Sequence, residues 1–323
     1  MRAKLQKRSS PVLAYDLGGT KVAVGAVTPQ GRILTEMRVP VMARQGKSAL
    51  LKQLADLGAQ ILKKHPSIRR AGIASAGPLD PARGILLDPT NLAGQEDKWG
   101  KVQLTATLSK KLKIPFTLEN DAAAAILAEH WMGAARGCKN AMILTLGTGL
   151  GTGIIANGEL VRAGRGLHTE AGHIIIQSND MTASCGCGNL GCAEAYLSGK
   201  NFALRAQQLW SKPHEVAGFE GAEFAKLARA GNKEALKLFE DYADRMATTL
   251  HNYVVIYSPE IIVLTGSFAA TSDLFLKQTR TKLESLLKRR RVGVDMMPKI
   301  TLSKLDNHAG LLGGAYVALQ KAI

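Results

Sequence analysis

The sequence predicts an α/β protein with a duplicated core: two α/β halves with a cleft between them. Two observations carry this reading. Segments 11–27 (PVLAYDLGGTKVAVGAV) and 141–156 (AMILTLGTGLGTGIIA) each read strand, glycine turn, strand, without being identical repeats. After each, helix-period and strand-period stretches follow one another. The 33 glycines and the low aromatic content of 5% suit a chain rich in tight turns.

In chain order, the apolar runs flanking DLGGTK predict two strands in 11–27 and a third at 33–41. Leu50, Leu54, Leu57 and Ile61 recur at helical spacing, which predicts a helix over 48–64. A short buried strand fits 70–76, broken by Gly77-Pro78. A helix is expected at 104–112, a strand at 114–119 ending at Asn120-Asp121, and an Ala-rich helix from 121 to about 132. Beyond the second hairpin, 157–200 is Gly-rich and carries a cysteine cluster. A long helix over 233–257, a strand over 260–265 ending at Gly266, a helix over 273–290 and a Gly-containing C-terminal helix complete the pattern.

Hydrophobic residues make up 46% of the 323 and charged residues 21%, which excludes a wholly disordered chain. The 42 Lys and Arg against 26 Asp and Glu give a net charge of +16, which raises nucleic acid, anionic membranes or phosphorylated substrates as partners. Half of that excess lies in Arg2, Lys4, Lys7, Arg8 and in Lys288, Arg289, Arg290, Arg291. A solvated tail and a helix end whose cations complement the dipole account for both. No apolar stretch of signal length follows the basic N-terminus, and no run approaches the roughly 20 apolar residues of a membrane span. Of the four cysteines, Cys185, Cys187 and Cys192 lie close together, which suggests a metal site in a reducing cytoplasm more than a disulfide framework. Cys138 stands apart and reads as a buried small hydrophobe.

Five groups of residues carry candidate chemistry. Asp16-Leu17-Gly18-Gly19-Thr20-Lys21 sits where a strand turns; its glycines would let backbone N–H groups approach phosphate oxygens, and Asp16 could hold a hydrated Mg²⁺. An ordinary hairpin turn reads the same way. Gly147-Thr148-Gly149 is a second candidate phosphate loop, and paired loops are a stronger signal than either alone. No Walker A string occurs, and the G-x-G-x-x-G at Gly186–Gly191 lies among the cysteines without strand-to-helix context. Asn120-Asp121 precedes a helix: the carboxylate could take a proton from a hydroxyl, although Asn and Asp are also common helix caps. His173 with Cys185, Cys187 and Cys192 forms a Cys₃His set suited to a closed structural Zn²⁺ site. Such a metal would carry Glu170 and Glu194 towards one place, where paired carboxylates could accept sugar hydroxyls.

Together these strings resemble the ROK family of sugar kinases and related repressors. The resemblance covers roughly residues 12–320, and its order is that of the family. It rests on DLGGTK, AGPLD at 76–80, END at 119–121, LGTGLGTG, EAGH at 170–173, CGCGNLGCAE at 185–194, LTGS at 264–267 and NHAGLLGGA at 307–315. It implies an actin-like ATPase (ribonuclease H-like) fold of two α/β domains flanking a cleft. The domains would be a basic tail at 1–10, an N-terminal domain at 11–120 with a helix from 307–323 packing back, and a C-terminal domain at 121–306 with a zinc-binding insertion. It implies ATP and Mg²⁺ at Asp16, Gly18, Gly19, Thr20 and Lys21, a second phosphate loop at Gly147, Thr148 and Gly149, and adenosine near Gly266 and Ser267. Sugar hydroxyls would meet Asn91, Asn120, Asp121, Glu170, His173 and Glu194, with Asp121 as general base and His173 also ligating zinc.

The expected activity is transfer of the ATP γ-phosphoryl group to the 6-hydroxyl of a hexose, with glucose foremost and a homodimer as the assembly. An N-acetylglucosamine or N-acetylmannosamine kinase fits the same hydroxyl-binding set, and EAYLSGKNF resembles segments of such members. The positive charge would suit a polyphosphate donor, but the Cys cluster and LTGS lean towards ATP. A regulator is the other alternative; only 15 residues precede Asp16, too few for a three-helix DNA-binding module. The basic tail would then bind nucleic acid only weakly and salt-sensitively, with no specific site. Two departures from the family stand out: Ala163 replaces a common Gly, and LAGQEDKWG after Asn91 is longer than the usual link.

Overall fold

A computed structural model describes residues 10–89, 92, 98–164, 167–289 and 293–320. Asn91, the residues of the basic tail up to 9, and Arg290 and Arg291 lie outside the described residues. The chain divides into two compact units. The first holds the chain up to Gly137, Leu160–Thr169 and everything from Lys304; the second holds Cys138–Glu159 and Glu170–Ser303.

The first unit begins with β1 (Val12–Leu17), β2 (Lys21–Val27) and β3 (Ile33–Pro40), an antiparallel meander. Then come α1 (Lys47–Lys64), β4 (Ala71–Ser75), and the short strands β5 (Leu79–Asp80), β6 (Ile85–Leu87) and β7 (Lys101–Val102), which form a small sheet of their own. Helix α2 (Leu104–Leu112), β8 (Phe116–Asn120) and α3 (Asp121–Trp131) follow. The main sheet has the order β3-β2-β1-β4-β8, with β4 and β8 parallel to β1. One face carries Leu13, Tyr15 and Leu17 into a core with α1 and α2. Leu50, Leu54, Leu57 and Ile61 are buried there as the periodicity predicts, each contributing about 1.5–3 kcal/mol. The other face carries Val12 and Ala14 against α3 and the C-terminal helix Ala309–Gln320.

Residues 121–131, expected in the second domain, belong to the first unit, whose main segment runs on to Gly137. Two features hold α3 against the C-terminal helix. Trp131 meets Tyr316 with ring centroids 5.5 Å apart, and Gly313 lies against the Ala124 backbone with no room for a Cβ.

The second unit repeats the topology. Its elements are β9 (Ala141–Leu146), β10 (Leu150–Ala156), β11 (Glu159–Leu160, which ends where the chain passes to the first unit), α4 (Ala193–Leu197), α5 (Gly199–Leu209), α6 (Gly221–Arg229), α7 (Lys233–Tyr257), β12 (Ile261–Thr265), α8 (Leu276–Lys288) and β13 (Lys299–Leu302). Strand order is β11-β10-β9-β12-β13, with β10 antiparallel to β9, β12 parallel to β9 and β13 parallel to β12. Each sheet is therefore a three-strand group continued by two parallel strands, which is the duplication anticipated from the two hairpins. This core is aromatic where the first is aliphatic: Phe202, Phe224, Phe239, Tyr242, Phe268 and Phe275 pack ring to ring.

The helix expected over 273–290 begins later, at Leu276, because Ser267–Leu274 winds as a 3₁₀ helix after Gly266. Lys288 pairs with Glu284 one turn back, as a solvated helix end does. Among the described residues no helix is long and apolar enough to cross a membrane.

Close backbone approach locks the first unit. A Cβ on Gly72 would run into the Gly314 carbonyl, and one on Gly314 would come within 2.6 Å of the Tyr15 carbonyl. Gly72→Ala should therefore overpack the helix–sheet contact and cost about 1–3 kcal/mol, read by urea denaturation; an unchanged midpoint would contradict this packing.

Candidate functional site

In the first unit, strand register brings chemistry to one line across the sheet. Residues paired laterally point to the same face. The successive pairs Arg38↔Ala23, Ala23↔Asp16, Asp16↔Ala74 and Ala74↔Glu119 thus align Arg38, Asp16 and Glu119 with alanines between them. The row lies near the carboxyl ends of β1, β4 and β8, where parallel α/β sheets place their ligands. Arg38 is tied down by Glu36 at 2.8 Å and by the Asn307 carbonyl at 2.8 Å. Glu119 is buried and meets Arg162 at 2.5 Å. Asp16 keeps some solvent exposure, but its carboxylate abuts the N-terminal turn of the C-terminal helix, where Gly310 leaves no room for a Cβ. Burial, and then the Asp121 charge, push its pKa up to about 6 against an opposing pull from Arg38.

Asn120 ends β8 and caps α3. Its side-chain oxygen accepts the N–H groups of Ala122 at 2.9 Å and Ala123 at 3.1 Å, while its amide donates to Asp121 Oδ1 at 3.0 Å. The Ala122 N–H also donates to Asp121 Oδ1, at 2.8 Å. Asn120 is thus a cap, and its amide also orients the neighbouring Asp121 carboxylate. The Asn120 N–H itself donates to Glu119 Oε1 at 3.0 Å. The glycine turn before β2 is tight, with the Gly18 N–H donating to the Lys21 carbonyl at 3.1 Å, and Gly19, Thr20 and Lys21 are exposed.

In the second unit, the Gly147-Thr148-Gly149 turn joins β9 and β10, and the Gly147 N–H donates to the Gly149 carbonyl at 3.1 Å. Gly266 has φ 92°, a left-handed value that glycine tolerates, and a Cβ there would meet the Leu146 backbone at 2.5 Å. Gly266 and Ser267 therefore lie against the end of β9, beside this turn. Glu194 sits in the first turn of α4 and accepts the Leu150 N–H at 2.9 Å.

Beside α4 lie four residues that could hold a metal ion. The ligand atoms of His173, Cys185, Cys187 and Cys192 all lie within 4.8 Å of one another. Cys185 Sγ is 3.5 Å from His173 Nδ1, and Cys187 Sγ is 3.7 Å from Cys192 Sγ. A tetrahedral zinc has S–S edges of about 3.8 Å and S–N edges of about 3.5 Å, so both edges fit such an ion. Neither is a disulfide. His173 presents Nδ1 to the thiols, while its Nε2 lies 3.8 Å from the exposed carboxylate of Glu170. The Gly172 Cβ position is occupied by the Leu150 carbonyl, and the Ala171 carbonyl accepts from the buried Tyr253 hydroxyl at 2.7 Å, so the EAGH turn is fixed from two sides. Cys138, expected to be buried, is only partly so; desolvation and the Glu260 charge raise its thiol pKa.

The ROK family model matches residues 12–321. The chain belongs to the ROK family. A glucokinase from Thermotoga maritima is 30% identical, over 96% of this chain and 98% of the relative. An N-acetyl-D-glucosamine kinase from Citrobacter koseri is also 30% identical, over 94% and 98%. The crystal structure of a ROK family glucokinase from Streptomyces griseus, in complex with glucose and AMPPNP, superimposes with a TM-score of 0.78 at 28% identity, covering 97% of this chain and all of that one.

Within this ROK protein, the structure brings Asp16, Asn120 and Asp121 together in the first unit. In the second it brings together the Gly147–Gly149 turn, Gly266 and Glu194, with the cluster of His173, Cys185, Cys187 and Cys192 beside them. The sequence reading gave no role to Arg38, Glu119 or Arg162. A charged residue inside a strand pattern is the signal that could have found Glu119, since a buried carboxylate requires a partner.

Two outcomes test this geometry. In the unfolded chain the Asp16 carboxyl titrates at its ordinary 3.8, so ionising it in the folded state costs stability increasingly between that pH and about 6. Asp16→Asn should therefore raise the melting temperature above about pH 6 by a few degrees, with the gain fading towards about pH 4; a gain independent of pH would contradict the burial of the charge. Metal analysis of purified protein should give about one zinc per chain, and a fully folded, metal-free preparation would contradict the closed site.

Proposed function

We propose that this chain is an ATP-dependent hexose kinase that phosphorylates the 6-hydroxyl, with glucose as the sugar. The observation that carries the reading is the Asp121 carboxylate. It stands at a helix N-terminus beside Asp16, with Oδ1 held by two donors, as a base that must meet a hydroxyl in one orientation requires. The Streptomyces griseus relative, solved with glucose and an ATP analogue, supports the donor and the acceptor.

In this reading Asp121 takes the proton of the 6-hydroxyl as that oxygen attacks the γ-phosphorus and the bond to ADP breaks. Asn120, Glu170, His173 and Glu194, with Asn91, are the residues that would bind the remaining hydroxyls. The Gly18–Lys21 and Gly147–Gly149 turns offer backbone N–H groups to the phosphates, and Gly266 and Ser267 receive the adenosine. Bound with ATP, Mg²⁺ supplies charge neutralisation for the transferring phosphoryl group, and Asp16 is the carboxylate that would hold it. His173, Cys185, Cys187 and Cys192 would hold zinc, whose role is to fix the segments carrying Glu170 and Glu194. A cytoplasmic homodimer accompanies this reading, and light scattering tests the assembly.

The Citrobacter koseri relative, as similar in sequence as the Thermotoga maritima one, favours N-acetylglucosamine as the second reading. A coupled assay crossing a panel of hexoses and N-acetylhexosamines with ATP and polyphosphate separates them: glucose with ATP should give the highest kcat/KM, and a preference for N-acetylglucosamine would replace it. Asp121→Asn should lower kcat by about 10²–10⁴; a near-wild-type rate would overturn the base assignment.

A further inference from the structure

The segment from Cys192 to Gly199 connects two features with different chemistry. It begins at a thiol of the zinc set, which is also the N-cap of α4, and ends at the first residue of α5. Between them it touches the second glycine turn twice. The Glu194 carboxylate accepts the Leu150 N–H through Oε2 at 2.9 Å, and the Gly199 N–H donates to the Gly147 carbonyl at 2.8 Å. These two bonds hold the turn at both ends. The Gly149 Cβ position lies only 2.7 Å from Glu194 Oε2, so a side chain at 149 would displace the carboxylate. Gly199 is confined as well: a Cβ there would meet Phe268 at 3.0 Å and the Gly147 carbonyl at 3.4 Å.

The segment is itself immobilised. Ser198 is fully buried and caps α5 by accepting the Asn201 N–H at 3.2 Å. The Asn201 amide donates to the Glu194 carbonyl at 3.1 Å, and the buried Tyr242 hydroxyl donates to the Leu197 carbonyl at 3.0 Å. On the side of the metal-ligating set, Cys185 Sγ lies 3.3 Å from Glu194 Oε1. One oxygen of Glu194 therefore faces the metal-ligating set and the other faces the turn.

We propose that Glu194 is a positioning residue for the nucleotide: by accepting the Leu150 N–H it holds the Gly147–Gly149 turn in its phosphate-binding shape, and so sets ATP affinity in the absence of sugar. This rests on the kinase reading of that turn. It gives Glu194 a role distinct from contact with sugar hydroxyls, and it ties the nucleotide side of the second unit to the zinc set through a fixed strap. A turn left without this acceptor would sample other shapes, and part of the binding energy of ATP would be spent on restoring one of them.

Two measurements on the full chain with its zinc test this. The first is calorimetric binding of Mg²⁺-AMPPNP without sugar. Glu194→Ala should weaken it about tenfold or more, as loss of a bond to a charged acceptor does. Glu194→Gln keeps a side-chain oxygen for the Leu150 N–H and should bind within about threefold of wild type. The second is hydrogen exchange of a peptide covering 146–152 with no ligand present, which should speed up in the alanine variant and not in the glutamine variant. Unchanged affinity and exchange in Glu194→Ala would overturn the proposal, as would equal losses in both variants. Failure of the wild-type chain to bind AMPPNP would overturn instead the kinase reading beneath it.

Discussion

Backbone meets backbone at the strand ends in both units, and glycine makes this possible. In the first unit the C-terminal helix lies so close to β1 and β4 that Gly72, Gly310 and Gly314 have no space for a side chain. In the second, Gly266 presses on Leu146, and Gly199 sits between Phe268 and the carbonyl of Gly147. The first contact brings the N-terminal turn of a helix to the Asp16 carboxylate. Burial against it raises the pKa to about 6. The second contact holds a glycine turn from behind. The chemistry in each unit follows from these approaches.

The two sheets share a topology but not a function. Asp16 is the penultimate residue of β1, and the matching position in β9 is Thr145, paired with Thr265 on the neighbouring parallel strand. The first sheet aligns Arg38, Asp16 and Glu119 in one row, while the second aligns hydroxyls. Asp16, Glu119 and the proposed base belong to the first unit, and the Cys/His cluster and Glu194 belong to the other.

Most of the secondary structure was legible because periodicity and breakers are local. The helices over 104–112 and 233–257 appear with those bounds, and both glycine hairpins formed where apolar runs flank DLGGTK and LGTG. The clustering of His173 with Cys185, Cys187 and Cys192 was legible because three close cysteines and one histidine leave few other arrangements. The cross-sheet row was not, since it depends on register among five strands that are distant in sequence. The pairing of Glu119 with Arg162 joins residues whose association no local pattern announces. The place of α3 was also hidden: an Ala-rich helix reads equally well in either unit until the glycines of the C-terminal helix reveal its partner. The hydrogen bond from Leu150 to Glu194 was hidden because a glutamate beside a cysteine cluster reads first as a ligand for substrate.

The measurement that bears most directly on the whole account is ³¹P NMR of the products formed from ATP and glucose by the purified, zinc-loaded chain. The account predicts ADP and one phosphomonoester, on the oxygen at carbon 6, in equal amounts. Phosphate on another oxygen, or ADP with inorganic phosphate and no sugar ester, would contradict it.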